Sequence, residues 1–258
     1  MKADVQNLIT LYQKTSKHSN YQVLPTQLKN IISEESLQIK SRHEEERLTY
    51  ILDKVKVADS VFCDIGGNSG FFTFELLNHG AQKGIFYEGN RDHAAFVQAA
   101  SEILNLQEKI EIHDQYFDFQ NDIADSLKKH IDVTILFNVL HHVGDDYGHI
   151  NNIESARENI INELKKMAQM TSLLVFQLGF NWMGDRNRCL FREGTKKEMI
   201  DWLKDNLRNE WEILHIGIAE NHENTIVYRD VNSSNIERND SLGEFLNRPI
   251  FILKSKLL

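Results

Sequence analysis

Residues 61–72 read VFCDIGGNSGFF, and the fold turns on how that stretch is read. An apolar run that ends in an acid, Asp64, and then breaks into glycines describes a buried strand entering a loop whose backbone must come close to something. Gly66, Gly67 and Gly70 supply that loop. Lacking a Cβ, glycine tolerates positive φ and lets a ligand touch the main chain.

From residue 58 onward, short β-branched or aromatic runs alternate with stretches of helical period, the pattern of a doubly wound, mostly parallel α/β sheet. Seven strands are expected: SVFCDI, GIFYE, KIEIHD, DVTILFN, SLLVFQL, WEILHIGI and PIFILKS. Between the fourth and fifth, Ile153, Ala156, Ile160, Leu164 and Met167 recur at steps of three and four, which predicts an amphipathic helix on the sheet. Phe96, Ala99, Ala100 and Ile103 do the same after the second strand. Residues 1–57 differ, with helix-like segments near 3–15 and 41–55, and are expected to form a helical cap on a domain spanning 58–258. The segment 219–247 is polar apart from TIVY and reads as an excursion before the last strand.

With 41% hydrophobic residues in a chain of 258, a sizeable core is possible. The 38 acidic and 29 basic residues give a formal charge of -9, which argues against a broad nucleic-acid footprint. Cys63 and Cys189 lie far apart and outside any CxxC pattern, so neither a disulfide framework nor a zinc site is suggested, and a reducing cytoplasm fits. No apolar run reaches the roughly 18 residues of a membrane span.

What touches the glycines is narrowed by elimination. A dinucleotide fingerprint needs GxGxxG, and the registers starting at Gly66 and Gly67 place Asn68 and Phe71, or Ser69 and Phe72, where glycines are required. A P-loop needs Lys and then Ser or Thr after its last glycine, and here Phe71 and Phe72 follow. What remains is D-x-G-x-x-x-G from Asp64 to Gly70, followed one βα unit later by a strand ending in an acid, Glu88. In open α/β sheets ligands lie outside the carboxyl ends of strands, so both stretches would face one crevice. A carboxylate there can accept from vicinal ribose hydroxyls.

Taken in order, DIGGNSG, FYEGN, IHDQYFD and DVTILFNVLHHV resemble the four successive motifs of class I S-adenosylmethionine-dependent methyltransferases, over about residues 60–180. The resemblance implies S-adenosylmethionine as cofactor and S-adenosylhomocysteine as product. It implies that Asp64 orients the loop or meets the methionine amino group, and that Gly66, Gly67, Asn68 and Gly70 bring backbone to the cofactor. Glu88 would hold the ribose, Asp114 the adenine amino group, Gln115 or Tyr116 the ring, and the backbone near Asn138 the methionine end. Asn68 is a departure, standing where the family usually has glycine.

NYQVLP, EERLTYIL, GFFTFELLNHGA, VLHHV with YGHIN, and RPIFILKSK are similar to stretches of bacterial methyltransferases that modify surface polysaccharide, of the O-antigen and capsule kind. That likeness implies that Tyr21 and Arg47 of the cap close over the cofactor or substrate. It implies as acceptor a hydroxyl or phosphate oxygen of a sugar, sugar nucleotide or glycan precursor. The alternatives are another small metabolite, a lipid, a tRNA nucleotide, or a cofactor-binding partner subunit without turnover.

Methyl transfer to a hydroxyl needs a base, whereas a phosphate oxygen is already anionic. His141 and His142 directly follow the fourth strand, and either can serve as base, since imidazole titrates near working pH. After the fifth strand, LGFNWMGDRNRCLFREG offers Trp182, Arg186, Arg188 and Arg192 on the acceptor side. Guanidinium forks suit phosphate or carboxylate, although an exposed loop paired with acids such as Glu193 accounts for the same residues. Asp145, Asp146 and His149 contain metal-ligand types, but GDDYGH reads more simply as a polar turn, and no metal is expected.

Overall fold

The computed structural model describes residues 2–14, 22–33, 37, 39–126 and 130–258. The chain divides into two units, Met1–Phe117 and Asp118–Leu258.

In the first unit, helices α1 (Lys2–Gln13), α2 (Thr26–Lys29) and α3 (Glu44–Lys54) precede a β-α-β-α-β run: β1 (Val61–Ile65), α4 (Phe71–Asn78), β2 (Lys83–Tyr87), α5 (Arg91–Ile103) and β3 (Ile110–His113). The strands are parallel in the order β3-β2-β1. Strand β1 is buried from Phe62 onward, as a strand covered on both faces must be, so it reads as a run rather than an alternation. Gly84 pairs with Phe62, whose ring fills the space a Cβ would need at 2.5 Å. Helix α5 starts on Asn90, whose side chain accepts from the N–H groups of Asp92 and His93. Helix α1 packs on α5 through Tyr12 and Phe96, with ring centroids 5.6 Å apart, and Lys14, just past its end, pairs with Asp92 at 2.7 Å.

The second unit comprises α6 (Asn121–Ser126), β4 (Ile131–Phe137), α7 (Ile153–Met167), β5 (Thr171–Gln177), α8 (Lys196–Leu207), β6 (Trp211–His222), β7 (Thr225–Asp230), α9 (Gly243–Leu246) and β8 (Ile250–Ser255). Its strand order is β4-β5-β8-β6-β7. Strands β4 and β5 are parallel, while β8 lies antiparallel between β5 and β6, and β7 is antiparallel to β6. Helix α7 buries the expected stripe, with Ala156, Ile160, Leu164 and Met167 all shielded.

One expectation is corrected. The strands number eight among the described residues rather than seven, because the excursion is partly a hairpin. Strand β6 runs past Ile218 to His222, and TIVY grows into β7 across a two-residue turn. Glu223 and Asn224 carry that turn at φ 50° and 68°, the doubly left-handed geometry that matches the twist of hairpin strands. The pairs β1–β2, β2–β3 and β4–β5 are parallel, as expected, and the pairs made by β8 and β7 are antiparallel. Among the described residues no helix is long and apolar enough to cross a membrane.

Candidate functional site

In the first unit the register aligns Ile65 with Tyr87 and Tyr87 with His113, so three carboxyl strand ends come out side by side. The next residues are Gly66, Glu88 and Asp114, and they form one row. Gly66, Asn68 and Gly70 all have positive φ, at 70°, 54° and 78°, a run of left-handed residues that coils the loop on itself; the N–H groups of Gly66 and Gly67 donate to the Tyr87 carbonyl, that of Ser69 to Asn68 Oδ1 and that of Gly70 to the Gly67 carbonyl. Asparagine is among the few residues that accept this conformation, so Asn68 serves at a position where a β-branched residue would not.

Gly67 is needed for a different reason. A Cβ there would lie 2.4 Å from the ring of Phe86 and 2.8 Å from Oδ2 of Asp64. Asp64 itself is buried beneath the loop, and its Oδ2 accepts from the Thr73 hydroxyl at 2.7 Å. Burial raises its pKa to about 6 against the lowering effect of Thr73. It lies under the bend, tied to α4.

Glu88 reaches across to the loop. Its Oε2 accepts from the N–H of Asn68 and its Oε1 from that of Asn90, both at 2.8 Å. Asp114, Gln115 and Tyr116 are exposed at the end of β3, and the ring of Tyr116 lies over Gly89, filling the place of a Cβ at 2.4 Å. One residue that sequence reasoning missed is Gln22, whose Oε1 accepts from the Ser69 hydroxyl at 3.0 Å and from the N–H of Phe71 at 3.2 Å. It caps the glycine loop from the N-terminal segment, which is held by Tyr12 Oη donating to the Gln22 carbonyl. The only hint was its place in NYQVLP.

Arg47 is 4% exposed, with Nη2 donating to Glu44 at 3.2 Å and its guanidinium 5.2 Å from the Phe72 ring centroid. It is thus packed against the helix that begins at the glycine loop. Tyr21 lies outside the described residues.

In the second unit, β4 is followed by Asn138, again with positive φ. Its N–H donates to the Gln177 carbonyl, its side-chain amide donates to Gln177 Oε1 at 3.0 Å, and its Oδ1 accepts from Arg248 at 2.8 Å. Arg248 is held in turn by Glu244 on α9 at 2.6 Å. The ends of β4 and β5 are therefore locked by residues the sequence did not single out.

A 3-10 turn, Leu140–His142, carries both histidines, and they separate by environment. His141 is 2% exposed and its Nδ1 accepts from the N–H of Gly179 at 3.3 Å. A side chain at Gly179 would collide with that ring at 2.7 Å. His142 is the more accessible, with Nδ1 lying 3.8 Å from Asp145 and 3.6 Å from Asp146. The N–H groups of both aspartates donate to the His142 carbonyl, closing the polar turn that GDDYGH suggests. His149 is exposed.

The loop after β5 folds back on this turn. Trp182 is buried, and its indole N–H donates to the Val143 carbonyl at 2.6 Å. Arg188 lies over the Trp182 ring at 5.3 Å and pairs with Asp185 at 3.4 Å. Arg186 and Arg192 are exposed, and the main-chain N–H of Arg192 donates to Glu198. Trp182 is thus the hinge pin of the loop, and the three arginines lie on its solvent side.

No protein-family model matches the chain, and no curated protein matches it. The fold does recur among solved structures. WbdD, determined at low resolution with its C-terminal bundle ordered, has a TM-score of 0.57 over 95% of this chain and 41% of that one, at 14% identity. SMU.776, a provisionally assigned methyltransferase complexed with SAH, has a TM-score of 0.53 over 82% of this chain and 49% of that one, at 10% identity. A provisionally assigned hemolysin from Streptococcus thermophilus has a TM-score of 0.52 over 85% and 68%, at 13% identity. At such identities the likeness is one of fold: an α/β architecture shared with a methyltransferase structure that carries SAH.

Proposed function

We propose that the protein is an S-adenosylmethionine-dependent methyltransferase acting on a hydroxyl or phosphate oxygen of a sugar, sugar nucleotide or glycan precursor of bacterial surface polysaccharide. The observation that carries the reading is the row formed by the Gly66–Gly70 bend, Glu88 and Asp114, three strand ends in one register. A ribose diol needs a carboxylate at the rim, and an adenine needs a flat face and a polar edge. Glu88, and Tyr116 with Asp114, offer these in that order beside the glycine bend, so the residues present fit the nucleoside.

S-adenosylmethionine, when bound, supplies a methyl group on a sulfonium open to in-line displacement. The rest falls to the chain. Asp64 stiffens the bend from below, Glu88 fixes the ribose, Asp114 accepts from the adenine amino group, and Gln115 and Tyr116 flank the ring. The backbone at Asn138 meets the methionine end, and residues 1–57, with Tyr21 and Arg47, act as a cap that helps exclude water. Arg186, Arg188 and Arg192 hold an anionic acceptor over Trp182, and His142 or His141 takes the proton of an acceptor hydroxyl.

Calorimetric titration with S-adenosylhomocysteine tests the donor half: micromolar binding is expected, and none at high micromolar ligand would remove the reading. Mass spectrometry of nucleotide-sugar, phosphosugar and tRNA panels, incubated with enzyme and labelled cofactor, tests the acceptor half. Label in tRNA alone would overturn the glycan assignment while leaving methyl transfer intact.

A further inference from the structure

Tyr147 has one phenolic proton and two neighbours placed to receive it. Its oxygen lies 3.2 Å from the Leu140 carbonyl and 3.0 Å from Oε2 of Glu163. A carbonyl can only accept. If the hydroxyl donates to Leu140, the second contact is a hydrogen bond only when the carboxyl brings a proton of its own. Glu163 is 6% exposed on α7, where an anion loses its hydration. Asn159, one turn back on the same helix, completes the arrangement: with its amide turned to donate, its nitrogen lies 2.8 Å from Glu163 Oε1. The same nitrogen is 3.3 Å from Oε2, so the shorter contact makes Oε1 the accepting carbonyl oxygen and Oε2 the one that carries the proton.

We propose that Glu163 is held as a neutral carboxylic acid whose Oε2–H donates to Tyr147, making Tyr147 and Glu163 positioning residues for the Leu140–His142 turn. In this state the phenolic proton goes to the Leu140 carbonyl, which also receives the N–H of Val143 at 3.3 Å. When Glu163 loses its proton, the carboxylate becomes the stronger acceptor and takes the Tyr147 hydroxyl. Leu140 then loses its second donor and the turn that carries both histidines is released on one side.

Burial sets the interval in which this happens, raising Glu163 to about 7. Lys166 of α7 opposes the rise, and Tyr147, from the loop packed on α7, opposes it by its hydrogen bond. Burial, then Glu163 and Asp146, push the phenol upward, so Tyr147 stays protonated throughout. Phe119 faces Tyr147 with an uncharged ring at 5.4 Å, and His141 and His142 sit on the turn itself. The relay stands apart from the methyl-transfer reading; only its effect on turnover rests on that reading, so the test needs neither cofactor nor acceptor.

Infrared difference spectra of the full chain, wild type minus Glu163→Gln, should show a protonated carboxyl band at about pH 5.5, above the ordinary carboxylate range. The band should fade as pH rises through the titration of Glu163. Amide exchange at Val143, corrected for base catalysis, should accelerate several-fold over the same interval in the wild type. It should not do so in Glu163→Gln, whose amide keeps a donor for Tyr147 at every pH, and Tyr147→Phe should exchange fast throughout. Carboxyl-labelled glutamate in the wild type gives the same titration by NMR without any variant. A Glu163 resonance that titrates in the ordinary carboxylate range, or a Val143 response equal in wild type and Glu163→Gln, would overturn the proposal.

Discussion

Glu88 Oε2 and the main-chain N–H of Asn68 are joined at 2.8 Å, twenty positions apart in sequence. The carboxylate at the end of β2 thereby fixes the bend after β1 before any ligand arrives. Its removal should act twice, loosening the loop and deleting a ribose acceptor. Glu88→Ala is expected to weaken S-adenosylhomocysteine binding by about 1–3 kcal/mol, with Glu88→Gln losing less because the amide oxygen still accepts from Asn68. Calorimetry on the two variants decides it, and unchanged affinity in both would refute the assignment.

The close approach at Gly67 gives a sharper structural prediction. Its φ is not positive, so the demand is for space alone: a methyl would press into the Phe86 ring and the buried Asp64 carboxylate. Gly67→Ala should cost ~3 kcal/mol of stability in urea denaturation, as overpacking of a filled core does. A variant as stable as the wild type would mean that β2 can shift to accommodate it.

The first half of the site was legible in the sequence because it is local. An acid, glycines at fixed spacing and a second acid one βα unit later lie within about 30 residues, and their strands had to be adjacent for the pattern to mean anything. What escaped was held by long-range side chains. Gln22 caps a loop 47 positions away, and Arg248 reaches Asn138 across 110 positions. Nothing in the spacing of either residue announces its partner. Helix α8 was missed for a poorer reason, since Thr195 and Glu198 form the start signal of a capping box, and Thr195 does accept from the N–H of Glu198. The extra strand escaped because Glu223–Asn224 is not a glycine-bearing turn, although it adopts the conformation of one.

Asp64 makes stability depend on pH in a direction opposite to a salt-bridged acid. Its native pKa of about 6 lies above the 3.8 of the unfolded chain, so the native state binds the extra proton and stability falls as pH rises across that interval. A rise of that size corresponds to about 3 kcal/mol, fully incurred above the native pKa. Asp64→Asn removes a charge that need not be buried and should be the more stable at pH 7, with a smaller advantage at pH 5. Denaturation midpoints at the two pH values measure this, and a constant difference between variant and wild type would show that Asp64 does not titrate in that range.

The two histidines should part company under mutation. His141 is buried against Gly179, whose N–H it accepts, so His141→Ala leaves a cavity and an unsatisfied amide at a cost of about 2 kcal/mol or more. His142 is more accessible, with the two aspartates of the following turn 3.8 and 3.6 Å from its Nδ1. Of the two imidazoles it is the one an acceptor can reach, so His142→Ala should leave the thermal midpoint and S-adenosylhomocysteine affinity nearly unchanged while abolishing transfer to a hydroxyl acceptor. Retained turnover in His142→Ala, together with intact cofactor binding, would point to an acceptor that arrives already ionised, such as a phosphate oxygen held by Arg186 and Arg188. Loss of both folding and binding in His142→Ala would instead assign the structural role to this residue, and the roles of the pair would be exchanged.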